Sequence, residues 1–313
     1  MAQALDHALV SHPAVTKKTT PWSNLLVGAG MNIFQVTTLG QPMEVIKTHV
    51  AANRGDSLAE AVSRTWLRGG VRGFYQGLIP WAWVEASTKG AILILTSSEV
   101  EHYAKKHLNA SNLVAGGLGG VVGGASQAYL TMGMTTCMKT IEVTRVKNVA
   151  PGGRIPGTME TFVHILRTQG IRGVNRGVNA VALRQITGWS SRIGIARLAE
   201  SPIRAIRGKK DSERLNLSEK ICASTVGGAL SCWNQPFEVV RVEMQSLKAD
   251  PTRPASPTML STAKHILQTS GPSGLLRGVV PRIGVATWAT ICMVGLGDSV
   301  KEAVAARNKT IRN

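Results

Sequence analysis

Three stretches about a hundred residues apart carry nearly the same message: Gly-Gly-Val-Arg-Gly-Phe-Tyr-Gln-Gly over 69–77, Gly-Ile-Arg-Gly-Val-Asn-Arg-Gly over 170–177 and Gly-Pro-Ser-Gly-Leu-Leu-Arg-Gly over 271–278. Each contains G-x-x-G-x-x-x-G. About thirty residues earlier a second pattern recurs, Pro42-Met-Glu44-Val-Ile-Lys47, Thr140-Ile-Glu142-Val-Thr-Arg145 and Pro236-Phe-Glu238-Val-Val-Arg241, with the acid always three residues before the base. Repeats this long exceed ankyrin or tetratricopeptide units, and three copies occupy nearly the whole 313-residue chain. One body with three-fold pseudo-symmetry follows, and function is expected on its axis.

The distribution of charge points to a membrane. Residues 22–43 and 109–138 contain no charged side chain, and 221–237 and 283–297 are shorter uncharged runs rich in small and aliphatic residues. Runs near twenty residues are long enough to span a bilayer. Between them lie apolar segments interrupted by charge, 75–100 with Glu85 and Lys89, and 177–198 with Arg184, Arg192 and Arg197. A charge at membrane depth is expensive unless it faces water or a partner, so these segments read as pore-lining helices. The uncharged segments are dense in glycine, including Gly28, Gly30, Gly116, Gly117, Gly119, Gly120, Gly123 and Gly124, which lets helix backbones approach closely in lipid. Trp22, Trp81 and Trp83 fall near predicted helix ends, where an interfacial belt or a packing role would each suit them.

A net charge of +18 fits nucleic-acid binding, adhesion to anionic lipid such as cardiolipin, or attraction of anionic substrates. No compact basic run with interleaved aromatics accompanies it, so nucleic-acid binding, as by a membrane-associated protein that tethers DNA, is the minority reading. Cys137, Cys222, Cys232 and Cys292 lie in predicted membrane helices without C-x-x-C spacing, and the seven histidines are dispersed. Neither a disulfide framework nor a metal site is expected. No nucleophile motif or phosphate-binding loop occurs, so no enzyme and no cofactor are expected. Met1–Thr20 lacks the apolar core of a secretory signal and the arginines of a transit peptide.

With these features in place, the chain resembles the mitochondrial carrier family, whose signature P-x-[DE]-x-x-[KR] ends each odd-numbered membrane helix. The resemblance implies an all-α membrane protein with six transmembrane helices in three pseudo-symmetric repeats, at about 20–105, 109–207 and 217–306, each with a short amphipathic helix on the matrix side. Residues 1–19 and 307–313 are flexible termini in this reading. It further implies a mitochondrial inner-membrane location, both termini toward the intermembrane space and a functional monomer. Pro42 and Pro236 would kink their helices toward the axis. By resemblance the matrix gate pairs Glu44 with Arg145, Glu142 with Arg241 and Glu238 with Lys47. The plain alternative is that each acid pairs with the base three residues along its own helix. Thr140 replaces proline in the second copy, so that kink is expected from Gly133 or from the threonine side chain. On the even helices the cytosolic gate fits the family well only at Asp298 and Lys301; Arg197 and Glu200 reverse the signs.

The resemblance places substrate contacts at Glu85, Lys89 and Leu93, at Arg184 and Gln185, and at Arg282, with Arg192 as a further contact. Independently of it, three cations at comparable depth on three helices describe a site for a small polyanion. Arginine forks suit carboxylates, so di- and tricarboxylates are preferred over nucleotides, for whose base only Leu93 offers an apolar slot. Glu85 either pairs with Lys89 one turn on or adjusts the charge of the cavity. Asn32, Gln127 and Asn234 either bond the substrate or pack. The segments 36–42, 76–91, 127–133 and 233–239 resemble the branch of the family that exchanges citrate for 2-oxoglutarate, which implies those carboxylates as partners.

Overall fold

The computed structural model describes residues 22–53, 55–145, 156–189, 226, 229–246 and 257–292, and among them every regular element is helical. Two long rods are each broken once. Helix α1 (Trp22–Gln35) passes through a widened turn at Val36–Gly40 into α2 (Gln41–Ala52). The break has a local cause. Thr37 and Thr38 donate their hydroxyls to the carbonyls of Ile33 and Phe34, competing with the helical ladder, and Thr38 leaves helical geometry at φ −83°, ψ −111°. Pro42 follows in the first turn of α2, where its missing N–H has no helical partner to lose.

The second rod runs from α5 (Asn112–Gln127) through a widened turn at Ala128–Met132 into α6 (Gly133–Thr144). Its widened turn immediately precedes Gly133, whose Cβ would lie 2.6 Å from Asn175 Oδ1 and 2.7 Å from Val178, so any side chain there would force both neighbours to shift. A third rod has a tight turn at Ser231–Asn234 before α9 (Gln235–Gln245), with Pro236 in its first turn.

These breaks correct the register expected for the second copy. The signature base stands seven residues past the break in the first and third rods, at Lys47 and Arg241, and the residue seven past Met132 is Lys139. Met134, Thr136 and Lys139 therefore occupy the places of Pro42, Glu44 and Lys47. Thr140 lies in an uninterrupted part of α6, and Glu142 and Arg145 fall beyond the equivalent turn.

The remaining helices follow the glycine pattern. Helices α3 (Leu58–Leu67), α7 (Thr158–Val174) and α10 (Met259–Gly274) precede or include it, and α4 (Trp83–His107), α8 (178–189) and α11 (Val279–Thr290) follow it. The last glycine of each pattern is left-handed, Gly77, Gly177 and Gly278 at φ 71°, 72° and 76°, which turns the chain sharply into the next helix. Each also marks a contact with the next rod: a Cβ on Gly77 would meet Lys139, on Gly177 Met244 and Gln245, and on Gly278 the Lys47 carbonyl at 2.9 Å.

Helices α4 and α5 run antiparallel, with Leu93, Ser97 and Glu101 seated on Gly123 and Gly119. On the other side of α5, Gly124 meets Gln185 and Trp189 of α8, Gly188 of α8 meets Asn234, and Gly284 of α11 meets Met43 of α2. The helices thus make a closed circuit around one cavity. The buried apolar clusters gather at the signature end, as Ala51, Ala180, Val239 and Ile266, and as Trp81, Met138, Ile141 and Ile165. Trp81 belongs to this core, packed at a tilt against Phe162 with ring centres 5.1 Å apart, and is buried, so it takes no place in an interfacial belt. Many large apolar side chains face outward, Leu26, Leu95, Tyr103, Val114 and Leu130 among them, a surface suited to lipid. Among the described residues one helical run, Gly70–His107, is long and apolar enough to cross a membrane by length and composition.

Candidate functional site

The circuit encloses a cavity of about 630 Å³ lined by residues of all three rods and of α4, α8 and α11. Its charged lining among the described residues is Lys47, Lys89, Lys139, Arg184, Arg241 and Arg282 against Glu44, Glu85 and Glu238, a formal surplus of three positive charges. Leu93, Gln185 and Asn32 also line it, so the substrate contacts implied by the resemblance at Glu85, Lys89, Leu93, Arg184, Gln185 and Arg282 share one space. Arg192, Arg197, Glu200, Asp298 and Lys301 lie outside the described residues.

Each cation is held differently. Arg282 donates from one guanidinium nitrogen to Gln235 Oε1 at 2.8 Å and from the other to Asn234 Oδ1. Asn234 in turn donates to the Arg184 carbonyl at 2.9 Å and to Thr187 Oγ1 at 3.0 Å. It is fully buried and aligns two of the site's arginines. Arg184 places Nε 3.2 Å from Glu238 Oε2, an ionic contact off hydrogen-bond alignment. Lys89 has no ion-pair partner among the described residues, and Gln127 donates to its carbonyl at 2.5 Å while accepting from Gln185 at 2.8 Å and Trp189 at 3.0 Å. Gln127 and Asn234 are therefore scaffolding for the site.

The floor of the cavity is ionic and buried. Lys47 Nζ sits 2.7 Å from both Glu44 oxygens and 2.7 Å from Glu238 Oε1. The Lys47–Glu238 contact is the across-axis pair that the resemblance implies, but the other two are not formed. Glu142 pairs with Arg145 on its own helix at 2.8 Å, and Arg145 reaches the Pro156 carbonyl at 2.9 Å and Thr161, away from the cavity. Arg241 forks onto Glu238 at 2.7 and 3.0 Å and donates to Thr140 Oγ1 at 2.9 Å and Gln245 Oε1 at 2.6 Å. The reason is the register of α6: Thr136, which bears no charge, stands where an acid would meet Arg241.

Glu85 also departs from expectation. Its carboxylate pairs with Lys139 of α6 at 2.8 Å and accepts from Thr135 Oγ1 at 3.0 Å, and no ion pair with Lys89 is formed. Lys139 and Thr136 escaped sequence reasoning because the Glu142–Arg145 spacing imitates the signature. One signal was available: the charge-free run beginning at 109 ends at Lys139. Gln235 was also missed, although Gln-Pro recurs at 41–42 and 235–236; both glutamines are buried and donate to the carbonyl before the last glycine of their own pattern, Gln76 and Arg277, at 2.5 and 2.6 Å.

Comparison with known sequences agrees with this architecture. A profile of the mitochondrial carrier protein family matches residues 17–108 and 213–308. The chain belongs to the mitochondrial carrier family. The stretch between the two matches contains the second rod, whose signature lacks both proline and acid. A Saccharomyces cerevisiae protein named citrate/oxoglutarate carrier protein is 55% identical over 93% of both chains. Tricarboxylate transport protein A from Danio rerio is 25% identical over 86% of this chain and 74% of its own length. A mitochondrial S-adenosylmethionine carrier from Mus musculus is 23% identical over 88% and 93%. Identities near 24% thus span relatives named for an anion and for a sulfonium compound, so only the 55% relationship discriminates between substrates.

Proposed function

We propose that this chain is an antiporter of the mitochondrial inner membrane that exchanges citrate for 2-oxoglutarate by alternating access. The observation that carries the reading is the cavity, where six cations outnumber three carboxylates within reach of one small ligand. A tricarboxylate neutralises that surplus, and a dicarboxylate most of it. The choice of acids rests on the 55% identity to the yeast citrate/oxoglutarate carrier.

In this reading the three rods and the three even segments are six transmembrane helices in three repeats, with α3, α7 and α10 on the matrix side and both termini toward the intermembrane space. Lys89, Arg184 and Arg282 hold substrate carboxylates, with Gln185, Leu93 and Glu85 shaping the site. Lys47, Glu44, Glu238 and Arg241 close the matrix gate, and Asp298 with Lys301 contributes to the cytosolic gate. A central anion shifts the balance between the two gates, because it interacts differently with each conformer. The protein works as a monomer around its own axis, with anionic lipids such as cardiolipin at its matrix rim.

The test is uptake of labelled citrate into liposomes carrying the purified protein and preloaded with 2-oxoglutarate, citrate, a nucleotide or nothing. Uptake against internal di- or tricarboxylate only is the expected outcome. Uptake against nucleotide alone would overturn the substrate, and none under any loading would overturn the carrier reading.

A further inference from the structure

The floor of the cavity is short of one acid, and a side chain of the substrate wall makes it good. Lys47, Lys139 and Arg241 occupy the three signature base positions, but Glu44 and Glu238 are the only acids at the matching acid positions, the third being Thr136. Glu238 serves Lys47 and Arg241, and both oxygens of Glu44 are engaged by Lys47 at 2.7 Å. Lys139 takes Glu85 instead, at 2.8 Å, and Thr135 fixes the same carboxylate oxygen. Glu85 is on the first turn of α4, one turn from Lys89, so it belongs to the wall that faces a ligand while its charge is committed to the floor.

We propose that the Glu85–Lys139 pair is the latch through which anion binding opens the cavity floor. The inference rests on the carrier reading. With the cavity empty, the pair ties α4 to α6 and keeps the floor shut. An incoming carboxylate bound by Lys89 lies within one helical turn of Glu85, repels it, and offers Lys139 another anion. Lys139 then exchanges a protein carboxylate for a ligand carboxylate, and α4 is released from α6. Lys139 is thereby a ligand contact that senses the anion, and Glu85 acts chiefly as its counter-ion.

The experiment uses the full chain in liposomes preloaded with labelled anion, measuring exchange and, separately, efflux into buffer without counter-anion. Lys139→Gln and Glu85→Gln are expected to raise counter-anion-independent efflux at least about tenfold, since removing one partner of a buried pair is strongly destabilising to the contact. The charge swap Glu85→Lys/Lys139→Glu is expected to restore efflux to within about twofold of the starting protein, the signature of a direct pair in a double-mutant cycle. Lys139→Arg keeps the charge and should behave as the parent, which guards against variants that fail to fold. Wild-type efflux from both neutralised variants, or a swap as leaky as either, would overturn the latch. A parent protein that exchanges some anion other than citrate overturns the substrate reading alone, and the efflux comparison then applies to that anion.

Discussion

The guanidinium of Arg282 is held at two points, by Asn234 and Gln235, so it presents its remaining face to the cavity without paying to find its orientation. In the proposed function, truncation of such a group leaves a substrate carboxylate without its partner. Lys89→Ala, Arg184→Ala and Arg282→Ala should each lower exchange by about 30-fold or more, corresponding to about 2 kcal/mol, while membrane insertion is retained. Ordinary exchange rates in all three would dismiss the site. A different residue-scale constraint applies at Gly73, where a Cβ would lie 2.2 Å from the Thr65 carbonyl oxygen. Backbone cannot yield as a side-chain tip can, so Gly73→Ala should destabilise the protein by about 1–3 kcal/mol, read as a lower thermal midpoint in detergent.

At the scale of elements, the start of α3 is a reciprocal cap: the Ser57 N–H donates to Glu60 at 2.6 Å and the Glu60 N–H to Ser57 Oγ. Ser57→Ala should cost about 1 kcal/mol. The Ser57 backbone N–H, then its hydroxyl, holds the Glu60 carboxyl below the usual range, so its contribution is full above that range and fades as acid protonates it at the lowered value. Glu60→Gln should flatten the acid limb of a pH-dependent melting curve; an unchanged limb would remove the cap from the account. The rods teach a different lesson. Their charge-free runs announced them and Gly133 announced the second break, yet the second signature was placed six residues late. An acid and a base three apart are ordinary neighbours on any helix, whereas Thr136 and Lys139 are recognised as signature positions only once the widened turn at Ala128–Met132 is seen. Thr136→Glu restores the missing acid opposite Arg241. A new pair stabilising the closed floor by about 1.4 kcal/mol would slow maximal exchange about tenfold, and faster exchange would show that Arg241 is not its neighbour.

Across the whole molecule, the recurring glycine turns and charge-interrupted segments made one axis and one central site legible, because a three-fold pattern can converge in only one place. Beyond the Lys47–Glu238 pair, partner choice on that axis was not legible, since it depends on how far each rod slides past its neighbours, a property of packing between segments about a hundred residues apart. The contacts of Gly77, Gly177 and Gly278 with the next rod around the circuit make each repeat the seat of another's signature. A side chain at Gly278 should therefore press first on the Lys47 carbonyl, at 2.9 Å, and less on Gln235 of its own repeat, at 3.5 Å: Gly278→Ala is expected to raise counter-anion-independent efflux, checked in the same liposomes, and unaltered efflux would separate the turn from the floor. The surplus of three positive charges among the described residues of the cavity has an electrical consequence as well. An empty carrier changing conformation would drag them through part of the membrane field, at up to about 2.3 kcal/mol per charge for each 100 mV, whereas a bound tricarboxylate travels with them as a neutral unit. In the proposed carrier, an energised membrane thus opposes the idle stroke in one direction, favours it in the other and spares the neutral loaded one, so voltage acts on the empty conformers and sets which way they face.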